Sequence, residues 1–247
     1  MPSNRQSASC RGLFVLAVCL LGARFSAPGQ QSTAVGHPNS PPGWSARLES
    51  RDVGNPAIHG STKVIPGGLE VVAGGKDIWG VSDEFRFVFQ KQVGDFDVRV
   101  RVESLTAPQL YSRAGLMARE DLSADSRHVF FLVFPDNRPR HANASAYELQ
   151  YRDVKGGASK GMYPPQGAGP PPFPVHFPDA WLRLKRVGSE FTGYVSTDGK
   201  NWKAYGSHFL DLPKTVFLGL AVTSHDAEAS TTAKFTDFGS SGDAANH

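Results

Sequence analysis

Asp95–Glu103 reads DFDVRVRVE, an unbroken alternation of charged and apolar residues. Because side chains of an extended chain point alternately to its two sides, all the apolar residues of this run fall on one face. They are Phe96, Val98, Val100 and Val102. The pattern is typical of a strand with one face in a core and the other in water. No segment shows a helical period, so the sequence predicts an all-β domain.

Comparable runs recur along the chain with turn residues between them, and with Asp95–Glu103 they give about a dozen candidate strands. The runs cover residues 59–65, 69–73, 85–91, 113–120, 128–134, 144–151, 181–187, 191–196, 202–207, 216–224 and 231–238. Gly67-Gly68 and Asp198-Gly199 are hairpin signals, and we expect Trp202, after the second, to fold back into the core. This number of strands suits a jelly-roll sandwich of two stacked antiparallel sheets.

Composition indicates a single domain and argues against some classes of partner. The chain has 247 residues, 40% of them hydrophobic, with 26 Gly and 18 Pro, which suits many turns between short strands. Its first 29 residues hold three arginines and no acidic residue, and the remainder carries 23 basic and 23 acidic side chains. This balance argues against nucleic acid or an anionic membrane as partner of the mature form, which we expect to be a monomer.

Residues 1–29 are typical of a bacterial secretory signal peptide. Arg5 and Arg11 form a basic region, and residues 12–22 (GLFVLAVCLLG) form an apolar run too short to span a membrane comfortably. A membrane anchor, a buried helix and lipid attachment at Cys19 are the alternatives. Cys10 and Cys19 are the only cysteines and both lie in this leader, so the mature protein, secreted or periplasmic, has no thiol or disulfide.

After the leader the sequence predicts a Pro/Ser-rich flexible spacer at 30–43, a sandwich domain at 44–239 and a disordered tail at 240–247. The stretch 161–178 contains seven prolines, which cannot belong to a central strand. We expect an external loop there, either inert or acting as a binding lid.

An ordered set of short segments resembles the bacterial DUF1349 family, which is related to the concanavalin A-like module at the C-terminus of β-xylosidases. The segments are Asp77-Ile78-Trp79-Gly80, Phe85, Phe87, Phe89, Gly94-Asp95-Phe96, residues 113–120 (RAGLMARE), Gly193-Tyr194, Ser196-Thr197-Asp198-Gly199, Trp202 and residues 219–225 (GLAVTSH). They span about Asp52 to Phe238. The resemblance implies a lectin/glucanase-type sandwich that accompanies carbohydrate-active enzymes, and it implies no particular activity.

A candidate sugar-binding surface follows from strand parity. Arg113, Met117 and Arg119 share one face, opposite Leu116, as on a strand that lines a polar concave sheet. Sugar sites combine aromatic rings with planar polar groups. The candidates are Trp79, Arg113, Arg119, Glu148, Tyr151 and His225. The alternative is that the two arginines are held in salt bridges with Glu148 or Asp97.

The sequence offers little support for catalysis or a transition-metal site. It has no Glu-x-Asp-x-Glu run, and Asp95 and Asp97 adjoin arginines that should keep both carboxylates ionised. No His-x-His or His-Glu-x-x-His spacing occurs, so no catalytic residue or metal ligand is predicted. Oxygens for a structural calcium ion are available on four aspartates: Asp52, Asp77, Asp83 and Asp237.

Three functions therefore stay open. The first is a secreted, non-catalytic module that binds carbohydrate or assists glycan-active enzymes. The second is a glycan hydrolase whose carboxylates come from separate strands, for example Glu148 with Asp77 or Asp97. The third is a scaffold domain of the cell envelope, with the Pro-rich loop as its contact.

The leader generates the first testable prediction. The basic region, the apolar run and the small residues before Gln30 predict export and cleavage. Mass spectrometry of the exported protein should find an N-terminus between residues 23 and 31. Mature protein that retains Met1 would contradict the prediction.

Overall fold

The structure, a computed structural model, describes residues 48–135, 147–162 and 175–241, together with the backbone of 33–35. Fifteen strands and no α-helix lie in these residues. The strands are β1 (Thr33–Val35), β2 (Leu48–Val53), β3 (Ser61–Ile65), β4 (Gly68–Gly75), β5 (Phe85–Val93), β6 (Phe96–Leu105), β7 (Arg113–Arg119), β8 (His128–Val133), β9 (Tyr147–Arg152), β10 (Lys160–Met162), β11 (Ala180–Val187), β12 (Glu190–Ser196), β13 (Lys203–Phe209), β14 (Thr215–Thr223) and β15 (Asp226–Ser240).

The strands form two antiparallel sheets, as the sequence predicts. One has eight strands in the order β1-β2-β5-β14-β7-β8-β9-β10, and the other has seven in the order β13-β12-β11-β6-β15-β4-β3. Both predicted hairpins are present, β3–β4 and β12–β13. Their turns contain Gly67 and Gly199 at φ 74° and 67°, a conformation that glycine adopts without steric cost.

The main core lies between the sheets and is formed by the inward face of each. In β6, Phe96, Val98, Val100 and Val102 are buried and their neighbours are half-buried, which confirms the predicted alternation. Leu116 of β7 joins the same core. Because β6 and β7 belong to different sheets, their apolar faces meet and are removed from water together.

A second apolar cluster lies on the other side of the eight-stranded sheet. It contains Phe85, Phe87 and Phe89 of β5 and Met117 of β7, packed with Ile78 from the loop before β5. The sequence predicts that Met117 shares an open polar surface with Arg113 and Arg119. In the structure this part of the face is apolar and buried, so the expectation of an open surface along the strand is wrong.

Several predicted boundaries differ from the observed strands. The predicted spacer at 30–43 contains β1, which pairs with β2, and Ser240 of the predicted tail is the last residue of β15. Trp202 is half-buried against Trp181 outside the main core, rather than folded into it. The leader 1–29, most of the spacer, residues 163–174 of the Pro-rich loop and the tail from 242 lie outside the described residues. Within those that are described, no helix has the length and apolarity to cross a membrane.

Candidate functional site

The loop that connects β4 to β5, residues 76–84, lies over the eight-stranded sheet and is anchored by Asp83. The Asp83 carboxylate is fully buried between two guanidinium groups. Arg119 Nη1 donates to Oδ2 at 3.1 Å, while Arg152 donates to both oxygens at 2.8 and 2.6 Å. We call Asp83, Arg119, His128 and Arg152 the Asp83 hub.

The two arginines also bind the backbone of the covering loops. Arg119 donates to the carbonyl oxygens of Asp121 and Ser123 at 2.9 and 2.6 Å. Arg152 donates to those of Trp79 and Gly80 at 2.9 and 3.1 Å. One ionic centre therefore attaches the 76–84 loop and the loop after β7 to strands β7 and β9.

His128 is the neutral member of this hub. Its Nδ1 lies 3.8 Å from Asp83 Oδ2, but its imidazole is fully buried beside Arg119 and Arg152. Burial lowers the pKa of His128 to about 3; Asp83 opposes the shift and the two arginines add to it. The contact between His128 and Asp83 is therefore not an ion pair at neutral pH. Burial and repulsion from the two arginines disfavour a protonated imidazole more strongly than Asp83 favours it.

Arg119, a candidate for sugar binding, is instead buried in the Asp83 hub. Its side chain is 0% exposed and its donors are used by Asp83 and the loop carbonyls. A ligand arriving from solvent cannot contact it. The salt-bridge alternative is closer to the structure, although the partner is Asp83 and neither Glu148 nor Asp97.

A second polar group lies at the neighbouring end of the same sheet face and brings together four of the six candidates. We call it the Asp77 cluster. It comprises Asp77, Trp79, Tyr111, Arg113, Glu148 and His225.

Arg113 organises the Asp77 cluster from beneath. It donates to Gln150 Oε1 at 2.7 Å and to the Ile78 carbonyl at 3.1 Å, and its Nη2 lies 3.2 Å from Asp77 Oδ1. Its guanidinium carbon is 5.9 Å from the Trp79 ring centre, a cation–π distance. Because Arg113 is buried and well bonded, it holds Asp77 in a fixed position at the surface.

Asp77 and His225 form the accessible part of the cluster. His225 Nε2 lies 3.3 Å from Asp77 Oδ2, and the two side chains are 31% and 25% exposed. The Tyr111 ring packs on that of His225 with 5.4 Å between centres. His225 has a φ of 57°, a left-handed conformation that is uncommon for a residue with a Cβ atom. At this turn the imidazole lies beside Asp77.

Glu148 lies beneath this pair on β9. The register places Gly115, Leu132 and Glu148 opposite one another, so Glu148 faces the same side of the sheet as Arg113. Its side chain is 1% exposed, and Oε1 makes no hydrogen bond with any described residue. Burial raises the pKa of Glu148 to about 7; the Arg113 charge opposes the shift and the Asp77 charge adds to it.

Two other expected participants lie elsewhere. Tyr151 is three positions from Glu148 on β9 and therefore faces the opposite side, where its ring stacks on His208 with 3.5 Å between centres. Asp97 is on β6 of the other sheet, and its carboxylate accepts a hydrogen bond from Arg183 Nε at 2.6 Å. The pairing of Glu148 with Asp97 is therefore wrong, whereas Glu148 and Asp77 share one cluster.

The aspartates suggested for calcium do not converge. Asp52 faces Arg86, Asp77 faces Arg113 and Asp83 faces Arg119 and Arg152. Across the described ranges no group of three or more His, Cys, Asp or Glu side chains could hold a metal ion. Each of the three carboxylates is already neutralised by an arginine.

The architecture is similar to that of several solved structures. A functionally unknown protein from Saccharomyces cerevisiae has a TM-score of 0.54 and 18% identity, over 72% of this chain and 90% of that chain. The carbohydrate-binding module CBM66 from Bacillus subtilis has a TM-score of 0.48 and 14% identity, over 74% and 92%. For lectin I-B4 from Griffonia simplicifolia these values are 0.42, 10%, 76% and 92%.

The fold is a jelly-roll sandwich of two antiparallel sheets. At these identities the likeness is one of fold alone. No protein-family model and no curated protein matches the chain, so the DUF1349 resemblance stays a prediction.

The sequence interpretation missed Tyr111 and Gln150 of this region. Gln150 has the parity of Glu148 on the same strand and could have been found by that rule. Tyr111 lies in a connection outside the strands, where no periodic signal exists.

The Asp83 hub generates a stability prediction. Asp83→Asn leaves two buried arginines without their counter-ion and should cost about 3–5 kcal/mol of unfolding free energy, measured by chemical denaturation. The matched control is Asp179→Asn, because Asp179 pairs with Arg101 but is 53% exposed. The control should lose less than about 1 kcal/mol. Equal losses in the two variants would show that the hub contributes no more than a surface pair.

Glu148 generates a pH prediction. With the pKa of Glu148 at about 7 in the folded protein, ionisation destabilises the fold progressively from about pH 4.5 to about pH 7. Glu148→Gln cannot ionise, so its stability relative to wild type should rise by about 3 kcal/mol across this window, at 1.36 kcal/mol per pKa unit. Denaturation at several pH values measures this difference.

The exposed Glu228 supplies the control, Glu228→Gln. The stability of each variant is compared with that of wild type at every pH. If this difference changes no more with pH for Glu148→Gln than for Glu228→Gln, the raised pKa of Glu148 is contradicted.

Proposed function

We propose that this protein is a secreted or periplasmic bacterial module of the DUF1349 type that binds carbohydrate without cleaving it, as an accessory to glycan-active enzymes. We place the sugar contact at the Asp77 cluster. The observation that carries the proposal is the half-buried Asp77 carboxylate, bonded to Arg113 and His225 beside the rings of Trp79 and Tyr111.

The chemistry of this arrangement suits a sugar ring. Carboxylate and imidazole groups form directional hydrogen bonds with hydroxyls, and charged partners make the stronger bonds. Aromatic rings present flat apolar surface to the carbon-bound face of a sugar. Since Arg113 already holds Asp77 in place, little side-chain freedom is lost when a ligand binds.

Hydrolysis is the second candidate, because Glu148 with its raised pKa and Asp77 resemble the acid and the carboxylate of a glycosidase. Glu148 is 1% exposed, however, so a glycosidic oxygen does not reach it in this structure. Binding is therefore the function that the geometry supports better. A scaffold domain of the cell envelope is expected to have no affinity for sugars. A binding experiment therefore distinguishes it from the binding module and from the hydrolase.

A glycan-array screen of the purified protein should find a neutral plant or microbial glycan, whose affinity is then measured by calorimetry. Asp77→Asn should weaken that binding by roughly tenfold to a hundredfold, the loss typical of hydrogen bonds to a charged group. The matched control is Asp153→Asn, because Asp153 likewise contacts a histidine and a cation, His208 at 2.7 Å and Lys160 at 3.1 Å. This control should bind normally.

Other results would overturn the proposal in different ways. Release of reducing ends by the pure protein would establish the hydrolase, provided that Glu148→Gln abolishes it. Equal losses in Asp77→Asn and Asp153→Asn would place the contact elsewhere. Absence of binding across the array would favour the envelope scaffold.

A further inference from the structure

The outer face of the seven-stranded sheet carries a group of aromatic and arginine side chains that the Asp77 cluster does not involve. We call it the Trp181 face. It comprises Arg99, Arg101, Trp181, Arg183, Tyr194 and Trp202. The outward residues of β6 and β11 are half-buried while their inward neighbours are buried, so this face meets solvent at the middle of the sheet.

Rings and guanidinium groups alternate across the Trp181 face. The guanidinium carbons of Arg99 and Arg101 each lie 5.9 Å from the Trp181 ring centre. Arg183 lies 4.9 Å from the Tyr194 ring and 5.8 Å from that of Trp202. Trp181 and Trp202 meet edge to face at 6.4 Å. The contacts hold the rings in defined orientations, which favours the packing of a sugar ring against them.

Arg99 differs from the other two arginines because it makes no hydrogen bond or ion pair with any described residue. Its Nε is buried and has no acceptor. Arg183 is bonded to Asp97 and Arg101 to Asp179, at 2.6 and 2.8 Å. Arg99 as a whole is half-buried, so part of its side chain reaches solvent, where a ligand can meet it.

The charges around Arg99 favour an anion. Asp97 and Asp179 are bound by their own arginines. Burial raises the pKa of Asp97, but the hydrogen bonds and the charge of Arg183 outweigh burial and leave that pKa lowered, so Asp97 stays ionised. Glu103 lies 3.9 Å from Arg101, and the charge of Lys185 acts on Asp97. Arg99 therefore remains the cation of this face without an acidic partner in the described part of the chain. A planar guanidinium matches the two oxygens of a carboxylate.

We propose that the Trp181 face is a second binding site, which takes a polysaccharide bearing carboxylate groups. The carboxylate of a uronate residue would bind Arg99, and its ring would lie against Trp181. This site is separate from the Asp77 cluster, because it lies on the other sheet and faces away from the core on the opposite side.

Polygalacturonate is the probe, and its fully methyl-esterified form is the neutral control. Affinity electrophoresis or calorimetry of the purified protein at low ionic strength should show binding of the acid form alone, weakened by added salt. Arg99→Gln should weaken it by about tenfold or more, and Arg99→Lys by less. Arg127→Gln is the matched control, since Arg127 is a half-buried arginine paired with Glu120 outside this sheet.

The outcomes separate this site from the proposed function. Asp77→Asn should leave polygalacturonate binding unchanged, and Arg99→Gln should leave the neutral glycan binding unchanged. Equal binding of acid and ester, no binding of the acid form, or equal losses in Arg99→Gln and Arg127→Gln would each overturn the proposal. Thermal midpoints of the variants establish that a loss of affinity is not a loss of folding.

Discussion

The buried carboxylate of Asp83 is the contact on which the exposed chemistry of this sandwich depends. Two fully buried arginines share it, and their remaining donors bind the backbone of two loops. A buried charge of this kind is tolerated only when its partners are complete, so the loops cannot leave without exposing an unpaired ion. The 76–84 loop, with Asp77 and Trp79, is consequently anchored to the sheet beneath it.

The sugar contact proposed at the Asp77 cluster is built on that anchored loop. Gln150 connects the two groups, because it accepts from Arg113 and its amide approaches His128 Nε2 at 3.3 Å. The buried residues of the region therefore position the exposed ones. Asp77 and His225 face solvent, while Arg113 and Glu148 set the electrostatic field from below. In the proposed function, this division means that the polar groups are already ordered before a sugar binds.

Arginine side chains have different roles on the outer faces of the two sheets. Over the eight-stranded sheet, Arg113, Arg119 and Arg152 are buried and structural, because loops cover that face. On the outer face of the seven-stranded sheet, Arg99, Arg101 and Arg183 are half-buried among aromatic rings, and Arg99 has no hydrogen-bonded or acidic partner in the described part of the chain. Arg186, on the other side of β11, is buried and binds loop carbonyl oxygens. The same residue type thus anchors loops over one face and, in the proposed second site, meets an anion on the other.

The sequence by itself determined the strand class, both hairpins and which residues share a face, because alternation is a local property with a period of two. It correctly put Arg113 and Arg119 opposite Leu116, and the same rule should have separated Tyr151 from Glu148. Only the tertiary structure decided that Arg119 is buried while Asp77 is accessible. Asp83 lies 36 residues from Arg119 and 69 from Arg152 along the chain. Burial arises from contacts between such distant segments, and no local pattern reports them.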